Sequence, residues 1–130
     1  MKRACYPQEI RFSDVDMMGH VNNSVYLTYF EEARMKFMME ITPPEWSWVS
    51  QGIIVARNEI NYRMPVLLGD PLFVVVEVCE LGRTSFTLSY QLLRNDQLCS
   101  DGKSIMVCFD YNEKTKITIP DHWREALIRN

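Results

Sequence analysis

Apolar residues recur along this chain with two different periods, and the change from one to the other divides it. Tyr26, Tyr29, Phe30, Ala33 and Phe37 fall at i, i+3, i+4, i+7 and i+11, the stripe of a helix. Val25, Leu27, Met35, Met38 and Met39 add apolar surface on other faces. Only Thr28, Glu31, Glu32, Arg34 and Lys36 are clearly polar, with Glu32 and Lys36 spaced as an i, i+4 ion pair. A helix apolar nearly all round is expected to be buried. It ends near Ile41, because Thr42-Pro43-Pro44 cannot continue it.

From Ile53 onward the period is two. Ile54, Ala56, Ile60, Tyr62 and Met64 share one parity, Arg57, Glu59, Asn61 and Arg63 the other, and Pro65 closes that strand. Gly69-Asp70-Pro71 reads as a turn and residues 72–81 as a long strand apolar on both faces at its centre. Gly82-Arg83 reads as a tight hairpin turn. Phe86, Leu88, Tyr90 and Leu92 then alternate with Ser85, Thr87, Ser89 and Gln91, and Asn95-Asp96 turns the chain again. Residues 98–111 form a further strand, with Asp101-Gly102 as a bulge or bend. A short strand over 116–119 and a helix over 122–128, opened by Pro120 and Asp121, complete the chain. Ahead of the long helix, residues 8–12 read as the first strand. Glu45-Trp46-Ser47-Trp48 reads as a flap packed on the core rather than a substrate lid.

Alternating strands with one wet face need cover on the other, and one buried helix supplies it. The expected fold is therefore α+β: a curved antiparallel sheet of about five to six strands wrapped around one long central helix, in one domain over residues 1–130.

Composition narrows the function classes. Seventeen acidic against 14 basic side chains give a net charge of −3, and no basic run exists, which argues against nucleic acid as partner. Cys5, Cys79, Cys99 and Cys108 form no CxxC pair and only His20 and His122 accompany them, a poor inventory for zinc. Reduced cysteines, no signal-peptide segment after Met1-Lys2-Arg3 and no apolar run long enough to span a bilayer lead us to expect a cytoplasmic protein. GxSxG, the P-loop and the dinucleotide fingerprint are all absent.

Candidate chemistry crowds into one stretch. Asp14, Asp16, His20, Asn22 and Asn23 sit in the few residues leading onto the long helix, whose unpaired N–H groups and positive dipole end suit a polarised carbonyl or an anion. Read without further context, Asp16 decorates a loop or caps the helix, and Asn22 and Asn23 are good N-cap residues. Asp14 reads as structural or supporting.

The pattern F-x-D-x-D-x-x-G-H-V-N-N-x-x-Y-x-x-Y-F-E-E-A-R, over residues 12–34, resembles the hotdog-fold acyl-CoA thioesterases, and most nearly the 4-hydroxybenzoyl-CoA thioesterase-like family. Tyr62-x-x-Pro65, Gly69-Asp70, Thr84-Ser85-Phe86, Asp101-Gly102 and Ile119-Pro120 extend the resemblance over nearly the whole chain. It implies a sheet wrapped round the helix, a homodimer or tetramer in which two sheets join edge to edge, and active sites at the dimer interface. It also implies hydrolysis of an acyl-CoA or acyl carrier protein thioester without metal or organic cofactor. By the same resemblance Asp16 is the catalytic nucleophile or general base. The amides around Asn23 and Ser24 polarise the carbonyl, and His20 and Asn22 assist. Family members often carry an aromatic residue where Asn23 stands, which leaves acyl chains open as substrates. Arg83, with Arg57, Arg63 and Lys103, is a candidate for the coenzyme A phosphates, and each also reads as a solvated strand or turn charge. The rival from another class is a non-catalytic acyl-thioester binding module on the same fold; a hydratase would need an acid–histidine arrangement that this sequence lacks.

Overall fold

The computed structural model describes residues 1–129. In chain order it contains β1 (Arg3–Gln8), a 3₁₀ turn (Phe12–Asp14), α1 (Asn23–Glu40), β2 (Gly52–Tyr62), β3 (Leu72–Leu81), β4 (Ser85–Arg94), β5 (Gln97–Asp110), β6 (Thr115–Lys116) and α2 (Asp121–Ile128). The strands form a six-stranded antiparallel sheet in the order β1-β3-β4-β5-β2, with β6 on β5.

The period-two residues of the central strands fill the space beneath α1, as the alternation requires. Val74, Val76, Val78, Phe86, Leu88, Tyr90, Leu92, Met106 and Cys108 are buried, together with Tyr26, Tyr29, Phe30, Ala33 and Phe37 of the helix. Trp123 and Leu127 of α2 close one end of this core, where Trp46 stacks on Trp123 at 4.9 Å. Asn95, at φ 55°, makes the two-residue turn between Arg94 and Gln97, a conformation that asparagine tolerates. All four cysteines are free thiols, and burial pushes Cys108 up to about 12.

Five expectations change. The first strand is Arg3–Gln8 rather than residues 8–12. Pro7 is tolerated there because β1 is an edge strand, paired with β3 alone. The final short strand spans Thr115–Lys116 only. Glu32 meets Arg11 (Nη2–Oε1 3.1 Å) instead of Lys36, whose ammonium lies 6.0 Å from the Tyr6 ring.

The bulge lies elsewhere. Register runs unbroken through Asp101 and Gly102 on both sides of β5. Gly102 is a point of close approach: a Cβ there would stand 2.5 Å from the Glu59 carbonyl oxygen and 3.3 Å from Phe30. The irregularity falls in β2, between Val55 and Arg57, so Ala56 is the extra residue. It reverses the parity of the strand. Ile53, Val55, Asn58, Ile60 and Tyr62 lie opposite the buried Cys108, Met106, Ser104, Gly102 and Ser100 and form the inward row.

Finally, α1 is buried on one side only. Leu27, Met35 and Met39 are exposed, and β2 beside them is exposed from Ile54 to Glu59, on both faces and along its free edge.

Candidate active site

The polar segment before α1 is held by three independent sets of contacts. The first is Asp14, whose carboxylate Oδ2 accepts from the Arg11 amide at 2.9 Å and from the Tyr29 hydroxyl at 2.6 Å. Tyr29 is fully buried, and that burial, with the adjoining Asp14 carboxylate, raises its pKa far above the ordinary phenol value. The Asp14 carbonyl also accepts from the Asn22 amide at 2.9 Å. Asp14 therefore ties the loop to the helix it precedes.

Asp16 builds the second set. Its Oδ1 accepts from the backbone amides of Met18 (2.9 Å) and His20 (3.2 Å), while its own amide donates to the His20 carbonyl at 2.8 Å. Gly19, at φ +78°, closes the turn, and Val15 bridges to Val21 across its base. The result is a compact loop with Asp16 exposed, Oδ1 anchored and Oδ2 without a hydrogen bond among the described residues. His20 enters through its backbone; among the described contacts its imidazole has no hydrogen bond.

The third set fixes the helix end. Asn22 is the N-cap, and its Oδ1 accepts from the Ser24 amide at 3.0 Å and the Ser24 hydroxyl at 2.9 Å. Val25 N–H is bonded to the Asn22 carbonyl. This leaves the Asn23 N–H as the first-turn amide without an acceptor, so of the two amides anticipated from sequence, Ser24's is taken up by the cap. Asn22, Asn23 and Ser24 are all exposed.

A neighbouring strand and loop supply the wall opposite. The Tyr62 hydroxyl donates to the Asn23 carbonyl at 3.0 Å, and its ring meets Tyr26 edge-on at 5.1 Å. Val21 N–H donates to the Val66 carbonyl at 2.8 Å, and His20 bridges to Leu67. The segment carrying Val66 and Leu67 is clamped by Asp70, whose Oδ2 accepts from the Leu67 amide and from Arg94, both at 2.9 Å. Partial burial works against the Asp70 charge, but the Leu67 amide and Arg94 outweigh it and lower the carboxyl below its ordinary value. Sequence reasoning used Tyr62 in a strand alternation and in a motif and missed its contact, which depends on two elements 39 residues apart in the chain.

The structure thus brings Asp16, His20, Asn22, Asn23 and Ser24 together and adds Tyr62. Arg83 is not with them. It sits in the β3–β4 hairpin, at the far end of a ten-residue strand whose rise is about 3.3 Å per residue. Its backbone carbonyl there receives the Ile119 amide at 2.9 Å. Arg63 is paired with Asp101 at 2.8 Å.

A groove of about 420 Å³ opens at the other end of α1, between the helix and β2. Met35, Met38, Met39, Trp48, Val55 and Met106 line it, with the buried Arg34 at one side. Trp48 is therefore a groove wall, whereas Trp46 packs on the core.

An exposed carboxylate on a hydrogen-bonded loop that leads into a helix whose first amide is free suits attack on a polarised carbonyl. Residues 10–127 match the family model described as the thioesterase-like superfamily. The long-chain acyl-CoA thioesterase FadM of Escherichia coli (strain K12) is 29% identical over 122 residues, which is 92% of each chain. The acyl-CoA thioesterase YbgC of Haemophilus influenzae is 23% identical over 125 residues, covering 94% of this chain and 92% of its own. The crystal structure of a Thermus thermophilus thioesterase complexed with coenzyme A and Zn superposes with a TM-score of 0.83 at 33% identity, covering 95% of this chain and 90% of that one. The antiparallel sheet curled around α1 is the hotdog fold, and the chain belongs to the thioesterase-like superfamily.

Proposed function

We propose that this chain, a thioester hydrolase by its family, hydrolyses acyl-CoA or acyl carrier protein thioesters with Asp16 as the reacting carboxylate. The observation that carries the proposal is that Asp16, anchored through Oδ1 and free at Oδ2, stands on the loop leading into α1, whose first amide, the Asn23 N–H, is unoccupied. The thioester carbonyl oxygen accepts from Asn23, whose amide is held at the positive end of the helix. Asp16 Oδ2 then removes a proton from water as the hydroxyl attacks the carbonyl carbon. The tetrahedral intermediate collapses, expelling the thiolate, which takes the proton. A direct attack by Oδ2, giving a mixed anhydride that water cleaves, uses the same atoms. One turnover in ¹⁸O water distinguishes the two, because only the anhydride route can leave label in Asp16.

His20 and Asn22 act by shaping this geometry, His20 through its amide on Asp16 and Asn22 through the cap. A homodimer formed through β2 accounts for the strand's free edge and its exposed inward row. No metal or organic cofactor enters the reaction as written. The test is thiol release from a panel of acyl-CoAs and acyl carrier protein thioesters. Hydrolysis of a subset supports the proposal. Tight binding without hydrolysis would support the binding-module reading instead.

A further inference from the structure

Arg34 closes the motif that begins at Phe12, and the reaction as written makes no use of it. It is only 9% exposed, yet it lines the groove between α1 and β2, about 16 Å along the helix from Asn23. Holding a guanidinium away from water is costly unless an anion accompanies it. Its partners within the chain fall short of that. Nη1 donates to two neutral oxygens, the Tyr90 hydroxyl at 3.3 Å and Ser104 Oγ at 3.5 Å. Both acceptors are fixed: Tyr90 stacks on Phe30 at 4.8 Å, and Ser104 donates its own proton to Asn58 Oδ1 at 2.6 Å. Glu31 is the one carboxylate within ion-pair reach among the described residues, 3.6 Å from Nη2. Its side chain is 64% exposed, so water screens much of that attraction.

The edge formed by Nε and Nη2 is therefore without a hydrogen-bond acceptor among the described residues. That edge presents two parallel N–H groups, the fork from which a carboxylate accepts bidentately. The walls beyond it have the opposite character. Met35, Met38, Met39 and Met106 line the groove with flexible, uncharged thioethers. Its volume of about 420 Å³ is that of a small-molecule site. An inorganic anion fills the fork and leaves the thioethers bare, whereas a neutral hydrocarbon covers the thioethers and leaves the guanidinium alone. A ligand with both parts satisfies both.

The geometry points to a binding site for a free aliphatic acid, its carboxylate on the Nε–Nη2 edge of Arg34 and its chain among the groove methionines. The site favours acid over thioester, because a thioester carbonyl carries no charge to offset the guanidinium. It goes beyond the thioesterase reading: hydrolysis releases an acid of this class, and the groove holds it apart from Asp16. The lining comes from one chain, so the site needs no second copy.

Calorimetric titration with decanoate, and with 1-decanol as the uncharged control, tests it on the unaltered protein, Arg34→Met and Met35→Glu. The unaltered protein is expected to bind decanoate about tenfold or more tightly than 1-decanol, and Arg34→Met to abolish that preference. Met35 is 56% exposed, so Met35→Glu leaves the core intact and is expected to weaken decanoate by like-charge repulsion. Spectra of methyl-labelled methionines locate the ligand. The resonances of Met35, Met38, Met39 and Met106 are expected to move with decanoate, and those of Met17 and Met18, next to Asp16, to stay. No decanoate binding, equal affinity in Arg34→Met or in Met35→Glu, or shifts that spare the groove methionines overturn the inference. Should Arg34→Met fail to fold, Arg34→Lys replaces it; the charge remains but the fork is lost, and most of the preference is expected to go with it. None of these readouts uses a thioester, so their failure is distinct from a failure of the thioesterase assay.

Discussion

The Tyr62 hydroxyl donates to the Asn23 carbonyl at 3.0 Å, joining the end of β2 to the first turn of α1. The same residue carries the one first-turn amide left free by the cap, so Tyr62 holds the residue whose N–H is assigned to the thioester oxygen.

Tyr62→Phe should therefore cost about 1 kcal/mol of stability or less, the net worth of an accessible hydrogen bond. Its effect on kcat should exceed its effect on KM, because the amide matters most when the oxygen is charged. Chemical denaturation and steady-state kinetics on the same preparation check this. Equal changes in kcat and stability would make Tyr62 a structural strut only.

Asp14 and Tyr29 form the buried partner to this surface contact. Tyr29→Phe removes one of the two donors to Asp14 Oδ2 without changing the shape of the core. A loss of about 1–3 kcal/mol in unfolding free energy is expected, the range for a buried polar group left short of a partner. Asp14→Asn should be milder than Asp14→Ala, since its side-chain oxygen still accepts from Arg11 and Tyr29. Urea denaturation of the three variants ranks them.

Acid stability should fall on two clamps around the site. Hydrogen bonding from Arg63, then Asn61, lowers the Asp101 carboxyl despite its partial burial, and the Leu67 amide and Arg94 do the same for Asp70. Both folded values lie below the unfolded one, so the stabilisation is complete above the ordinary aspartate value of about 3.9 and is lost as pH falls through the folded values. Thermal melts between about pH 5 and pH 2 should show the unaltered protein losing stability more steeply than Asp70→Asn or Asp101→Asn. Parallel profiles would remove these carboxylates from the acid response.

The sequence made the centre of the fold legible and left its edges obscure. The 3.6-residue stripe from Tyr26 to Phe37 and the alternation from Phe86 to Leu92 each point one way only, and the helix and strand stand where those patterns require. In β2, apolar residues occupy both parities, so nothing in the pattern announces that Ala56 is extra and that Ile53 and Val55 face inward. Gly102 reads equally as a bulge or a close approach until Phe30 is seen against it. The all-round apolarity of α1 reads as complete burial, yet Leu27, Met35 and Met39 lie open in a single chain; β2 is open beside them. At the site, the motif gathered the right loop, but motif spacing could not show that Asn22 takes the Ser24 amide and leaves Asn23 free. That division depends on cap geometry. Tyr62 joins the loop only through tertiary structure.

The most direct test is thiol release from an acyl-CoA panel by the unaltered protein and Asp16→Asn, side by side. Asparagine retains an Oδ1 for the Met18 and His20 amides, so the loop should keep its shape and the melting temperature should be little changed. Hydrolysis should fall by about 10²–10⁴, the contribution of a positioned acid–base group. An Asp16→Asn protein that folds normally and hydrolyses at the unaltered rate would contradict the account and move the chemistry to another group.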